Sequence, residues 1–114
     1  MTVQVPKVAL FANGERGLTV AQRLAEAGVD LAGFVSHGER IHSAQVEERV
    51  GARVAKFHMT SNLSADWDSV SELLSASDAD LGVVAGFSFL VPSKVLEIPK
   101  WGFLNLHAGA IPKY

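Results

Sequence analysis

Short, nearly continuous apolar runs alternate along this chain with stretches of helical spacing, and that alternation leaves few folds open to it. Val8-Ala9-Leu10-Phe11-Ala12 ends in Asn13-Gly14 and suits a strand covered on both faces, as strands of a parallel sheet are. From about Leu18 the period changes: Val20, Leu24 and Ala27 fall at helical spacing, and Gly28 stands where a left-handed residue would end the helix. Val29 to Ser36 reads as the next strand. Two strands joined through a helix make a βαβ unit, whose crossover is right-handed in nearly all folds.

The pattern repeats with less clarity downstream. A short helix is expected near Ala44 to Val50 and a brief strand at Arg53 to Phe57. Trp67, Val70, Leu73 and Leu74 lie on one face of a further helix, capped by Ser64 or Asp66, and Leu81 to Ala85 follows as a buried strand. Pro92 and Pro99 bracket SKVLEI, long enough for one or two helical turns, before Gly102 to His107 turns extended again. The expected fold is a single α/β domain, a doubly wound, Rossmann-like and mostly parallel sheet of five strands with three or four helices. The chain stops at Tyr114 after a polar loop, with nothing to cover its last strand, so the sheet is expected to be incomplete at its C-terminal end.

Three stretches carry chemistry-bearing residues. The two-residue period of a strand places Asn105 and His107 on one face and Leu106 on the other, at the carboxyl end of a strand, where open parallel sheets bind ligands. A carboxamide beside an imidazole can donate to an oxyanion while a proton moves; a turn cap beside a structural histidine has the same spelling, and the two residues alone leave both readings open. Asn13, Gly14 and Arg16 lie in a turn between a strand and a helix, where free N–H groups and the helix dipole favour an anion, although a plain tight turn explains them equally well. The glycines at 14 and 17 do not make a dinucleotide fingerprint, so a nicotinamide cofactor is disfavoured. Phe87, Ser88, Phe89, Leu90 and Val91 form an apolar loop that could flank a flat ring or simply pack the sheet edge. His37, Glu39 and His42 have no further ligand at a familiar spacing, and no metal is expected.

Taken together, VVAGFSFLVPSKVLEIPKWGFLNLHAGAIPKY resembles the signature half of the formyltransferases that use 10-formyltetrahydrofolate, with their Asn-x-His strand and proline-containing loop. The resemblance spans most of the chain and is only an outline between His37 and Ser64. It implies that Asn105 is the oxyanion donor and His107 the proton-handling residue. It also implies that Phe87 to Val91 hold the pterin largely through main-chain groups, and that Asn13 to Gly17 lie beside an amine-bearing acceptor, with Arg16 facing its anionic group. The acceptor would be an amino-sugar nucleotide, an initiator aminoacyl-tRNA or a small amine. Two departures stand out: Gly109, Ala110 and Ile111 take the family's Ser-Leu-Leu places, and the family's catalytic aspartate belongs to a region beyond Tyr114, so these residues alone need not be active.

Composition narrows the partners. Ten basic against twelve acidic residues, a formal charge of -2, offer no basic field for nucleic acid or anionic lipid, so RNA contact is not expected from this segment, tRNA held by another domain staying open. Without cysteine there is no disulfide or thiolate site, and the N-terminal residues contain no long apolar stretch, which makes a cytoplasmic location the default and a membrane partner unexpected. Three readings follow: a formyltransferase or its N-terminal part, a non-catalytic folate- or nucleotide-binding module, and an assembly module that pairs its open sheet edge with a missing segment or a second copy, as a homodimer.

Overall fold

The computed structural model describes residues 5–37, 43–51, 53–60, 62–87 and 89–106. Five strands, β1 (Lys7–Ala12), β2 (Asp30–Ser36), β3 (Ala55–His58), β4 (Leu81–Ala85) and β5 (Phe103–Leu106), alternate with four helices, α1 (Gly14–Glu26), α2 (Ser43–Val50), α3 (Leu63–Ser77) and α4 (Ser93–Leu96). The strands lie in the order β3-β2-β1-β4-β5, and every pairing is parallel. The expected doubly wound α/β architecture is therefore present.

The apolar runs of the sequence become strands because both faces of the sheet are covered. Val8, Leu10 and Ala12 of β1 pack with Leu18 and Ala21 of α1 and Val46 of α2. The alternate residues Ala9 and Phe11 pack with Trp67, Val70 and Leu74 of α3 and Val95 of α4. A strand with a helix layer on each side gains nothing from polar residues at alternate positions, which is why VALFA is continuous. The order in which strands are laid down reverses between β1 and β4: the chain adds strands outward from β1 to β3, then crosses back to β4, which still runs parallel to β1. This switch point leaves a crevice at the carboxyl ends of the two strands.

Several boundaries differ from the sequence-based expectation for local reasons. α1 begins at Gly14, not near Leu18, because its first turn is polar and carries no apolar periodicity. It ends at Glu26 with Ala27 as cap, and Gly28 is the left-handed residue that stops it as expected: φ is +88° there, and the amides of Gly28 and Val29 reach back to the carbonyls of Ala25 and Leu24. α3 is capped by Asn62, whose side chain accepts from the Ala65 amide, and not by Ser64 or Asp66. Asp66 is buried and accepts from both the amide and the hydroxyl of Thr60, tying the β3–α3 connection to the helix. β3 ends at His58, one residue beyond the expected Phe57, because Ser36 and His58 are opposed at the ends of β2 and β3 and joined by a 2.9 Å hydrogen bond between the Ser36 hydroxyl and the His58 imidazole Nδ1.

β5 is the edge strand. Phe103 and Asn105 face the α3–α4 side, opposite Gly82 and Val84 of β4, whereas Leu104 and Leu106 point to the α1 side and are exposed. Gly82 is where the edge strand locks on: a Cβ built there would lie 2.3 Å from the Phe103 ring, which occupies the space of the missing side chain. Among the described residues no helix is long and apolar enough to cross a membrane.

Candidate functional site

A cleft of about 760 Å³ opens at the carboxyl ends of β1, β4 and β5, and all three stretches singled out in the sequence contribute to it. Asn13 and Arg16 form one flank, Phe87, Phe89, Leu90 and Val91 another, and Asn105 a third. Residues as distant in the sequence as Asn13 and Asn105 thus meet at the switch point of the sheet.

The Phe87–Val91 flank is built on the core. Gly86, at φ +68°, turns the chain back over the sheet after β4, a conformation that costs glycine little. Phe87 then sets its ring edge-on to Phe11 at 5.5 Å between centroids, to Trp67 of α3 at 6.3 Å and to His37 at 4.7 Å. Phe89 lies 5.8 Å from Phe87 and 4.5 Å from His37. The two readings of this loop are therefore compatible: Phe87 and Phe89 pack into the core and also line the cleft, while Leu90 is 94% exposed. Ser88 lies outside the described residues.

On the opposite flank, Asn13 stands at the cap position of α1 with extended backbone, yet its side chain makes no cap hydrogen bond. Its Oδ1 is buried without a hydrogen-bond partner among the described residues. Such an acceptor is costly unless a donor reaches it. Glu15 is drawn to Arg49 of α2 by an ion pair, while Arg16 stays exposed at the mouth of the cleft. Gly14 takes φ +64°, which forms the turn, and does not line the cleft itself. Gly17, read in the sequence as part of the same turn, serves packing: a Cβ there would come within 3.0 Å of the Ala12 side chain, so α1 can approach β1 closely only because this residue has none.

Asn105 is exposed at the end of β5, on the face shared with Phe103. His107, its expected companion, lies outside the described residues, as do Glu39 and His42. Among the described residues no three potential metal ligands come together.

Sequence reasoning missed the place of His37, which it weighed only as a metal ligand beside Glu39 and His42 and set aside. It is buried at the end of β2, with its ring against Phe87 and Phe89. Burial, and secondarily the charge of the nearby His58, holds its imidazole below the ordinary histidine range. The fold thus favours the neutral ring. As pH falls below about 6.5 the unfolded chain binds a proton that the folded chain resists, so this stabilisation, complete at higher pH, is lost as pH drops toward the folded-state pKa. Thermal unfolding should show a lower midpoint at about pH 5.5 than at about pH 7.5, and His37→Phe should reduce the difference; equal pH dependence in the two proteins would remove His37 as its source.

Comparison with known proteins places these observations in context. Residues 7–114 match the family model described as formyl transferase. The chain is 32% identical over 115 residues to the methionyl-tRNA formyltransferase of Deinococcus radiodurans, covering 96% of this chain and 36% of that protein. It is 31% identical over 113 residues to the methionyl-tRNA formyltransferase of Bacillus cereus strain AH187, covering 94% of this chain and, again, 36% of the relative. The chain thus spans little more than a third of the length of these curated relatives. Among solved structures, a phosphoribosylglycinamide formyltransferase from Brucella melitensis shares the fold with a TM-score of 0.72 at 17% identity, over 96% of this chain and 60% of that one. A formyltetrahydrofolate deformylase from Pseudomonas putida KT2440 does so with a TM-score of 0.65 at 14% identity, over 90% of this chain and 38% of that one.

Proposed function

Because the chain belongs to the formyl transferase family, whose model it matches over residues 7–114, we propose that it supplies the N-terminal part of a catalytic domain moving a formyl group from 10-formyltetrahydrofolate to an amine. The observation that carries this reading is the meeting of Asn105, the Phe87–Val91 loop and the Asn13–Arg16 turn on one cleft. The cleft suits a flat bicyclic ring: about 760 Å³ lies within the range of small-molecule sites, and Phe87, Phe89 and Val91 supply an apolar wall.

The folate, when bound, supplies the activated formyl carbon. Main-chain groups of the 87–91 loop hold its pterin against that wall. Asn105 donates from its side-chain amide to the formyl oxygen, where negative charge gathers as the amine attacks. His107 removes the proton of the attacking amine and returns one to the departing nitrogen. Asn13 and Arg16, in the turn that Gly14 shapes at the N-terminus of α1, receive the acceptor: Arg16 and the helix dipole favour an anionic group, and Asn13 Oδ1 takes a hydrogen bond from a donor on the same molecule. The reading favours an amino sugar or another small amine over a large RNA, since the residues present carry a net charge of -2, and it assigns the reaction to the cytoplasm.

Calorimetric titration with 5-formyltetrahydrofolate, a stable analogue of the donor, tests the proposal. Saturable binding is expected, and Phe89→Asp, which places a carboxylate in the apolar wall, should weaken it by at least about tenfold. Folded protein that binds no folate, or a variant that binds as well as the parent, would count against the assignment of this loop.

A second reading is favoured by Leu104 and Leu106, which are 50% and 38% exposed on an edge strand that bears no charge. Such an edge recruits a further strand, from the rest of a longer protein or from a second copy. Sedimentation over a range of concentrations separates the two: a dimer that forms with increasing concentration supports the second copy.

A further inference from the structure

We infer that His37 is a positioning residue for the aromatic wall of the cleft, its buried ring holding Phe89 in the pose a flat heteroaromatic ligand needs. The inference rests on the reading of residues 87–91 as the folate-binding wall and goes beyond it, because His37 does not line the cleft.

The backbone at the end of β2 is well anchored. Ser36 bonds through its hydroxyl to His58, and its carbonyl accepts from the Met59 amide at 2.7 Å. His37 follows at once and is 6% exposed, so its ring has a defined place. That ring packs edge-on to Phe87 at 4.7 Å and tilted by 40° to Phe89 at 4.5 Å. The two phenylalanines depend on it unequally. Phe87 is also held by Phe11 and Trp67. Among the described residues, Phe89 makes ring contacts with Phe87 and His37. Without the ring at position 37, Phe87 keeps its seat in the core, while Phe89 loses one of two aromatic neighbours beside the fully exposed Leu90.

Affinity then falls through the population of the ready wall. A ligand that binds one pose binds more weakly in proportion to the fraction of protein in that pose, and an aromatic contact holds a ring by enough to change that fraction severalfold. The function required of residue 37 is the packing of a neutral ring, and phenylalanine can supply it.

The test is titration of the parent, His37→Ala and His37→Phe with 5-formyltetrahydrofolate, at a temperature where each is folded by circular dichroism. His37→Ala should bind about tenfold more weakly, and His37→Phe should return to within about threefold of the parent. A purely structural residue would lower the melting temperature and leave the affinity of the folded protein unchanged. Parent-like binding by His37→Ala, or failure of His37→Phe to restore it, overturns the inference. If His37→Ala does not fold, His37→Leu keeps bulk without a ring and carries the same expectation. The ring resonances of Phe89 in the free protein give a readout independent of the folate reading: in His37→Ala they should collapse toward unstructured positions while those of Phe87 stay dispersed. If the parent binds no folate, the reading of the loop fails by itself, and unchanged Phe89 resonances would then overturn the role of His37.

Discussion

Phe11→Ala is expected to destabilise the protein by about 3–5 kcal/mol, the range for removing a fully buried aromatic ring. Phe11 is 0% exposed in the central strand, and its ring meets Phe87 at 5.5 Å and Phe103 at 5.2 Å, both near edge-on. One truncation therefore opens a cavity and removes two aromatic contacts together. Against a total stability of roughly 5–15 kcal/mol for a domain of this kind, the loss is a large share. It also acts on the cleft, because Phe87 begins the loop that forms one flank and Phe103 anchors the strand that carries Asn105. Thermal unfolding by circular dichroism should show the midpoint falling by more than about 10 °C, beside Leu90→Ala, whose side chain is 94% exposed and whose loss should change stability by no more than about 0.5 kcal/mol. Similar midpoints for the two variants would mean that Phe11 is not the centre of this core.

Gly82→Ala is expected to cost about 1–3 kcal/mol through overpacking, a large effect for the addition of one methyl group. The new Cβ would sit 2.3 to 2.5 Å from three atoms of the Phe103 ring, far inside contact distance. That ring also packs edge-on against Phe11, so making room for the methyl group disturbs a second core contact or shifts β5. Gly33→Ala makes the informative comparison: its Cβ would meet the Leu73 side-chain tip at 2.9 Å, and a single flexible methyl can move aside. Denaturant unfolding should therefore rank Gly82→Ala as the more damaging. Because Asn105 lies two residues beyond Phe103, Gly82→Ala should also weaken 5-formyltetrahydrofolate binding in whatever fraction stays folded. Equal stability of the two variants would show that β5 adjusts freely and that the lock between Gly82 and Phe103 is unimportant.

Much of the fold was legible in the residues themselves. VALFA and LGVVA declared buried parallel strands because continuous apolar runs need two covered faces, and Gly28 marked the end of α1 because only glycine takes its left-handed conformation without strain. The end of α3 gave no such sign, since Asp78 takes φ +55° there without a glycine. The start of α1 was obscured by a polar first turn, and the cap of α3 by Ser64 and Asp66, residues of the capping type to which the sequence reading gave that place; only the path of the chain after β3 gave the cap to Asn62 and turned Asp66 toward Thr60.

The site divides in the same way. Asn105, the 87–91 loop and the Asn13–Arg16 turn could be picked out beforehand, because side-chain chemistry and strand-end position are properties of local sequence. Their convergence on one cleft, the closeness that Gly17 and Gly82 allow, and the burial of His37 between Phe87 and Phe89 were decided only by tertiary structure. The physical reason is range. Periodicity, capping and turn preference act over a few residues and are written in neighbouring letters, whereas the contact of a ring after β2 with a loop after β4 depends on strand order, crossover hand and packing, which belong to the whole sheet at once.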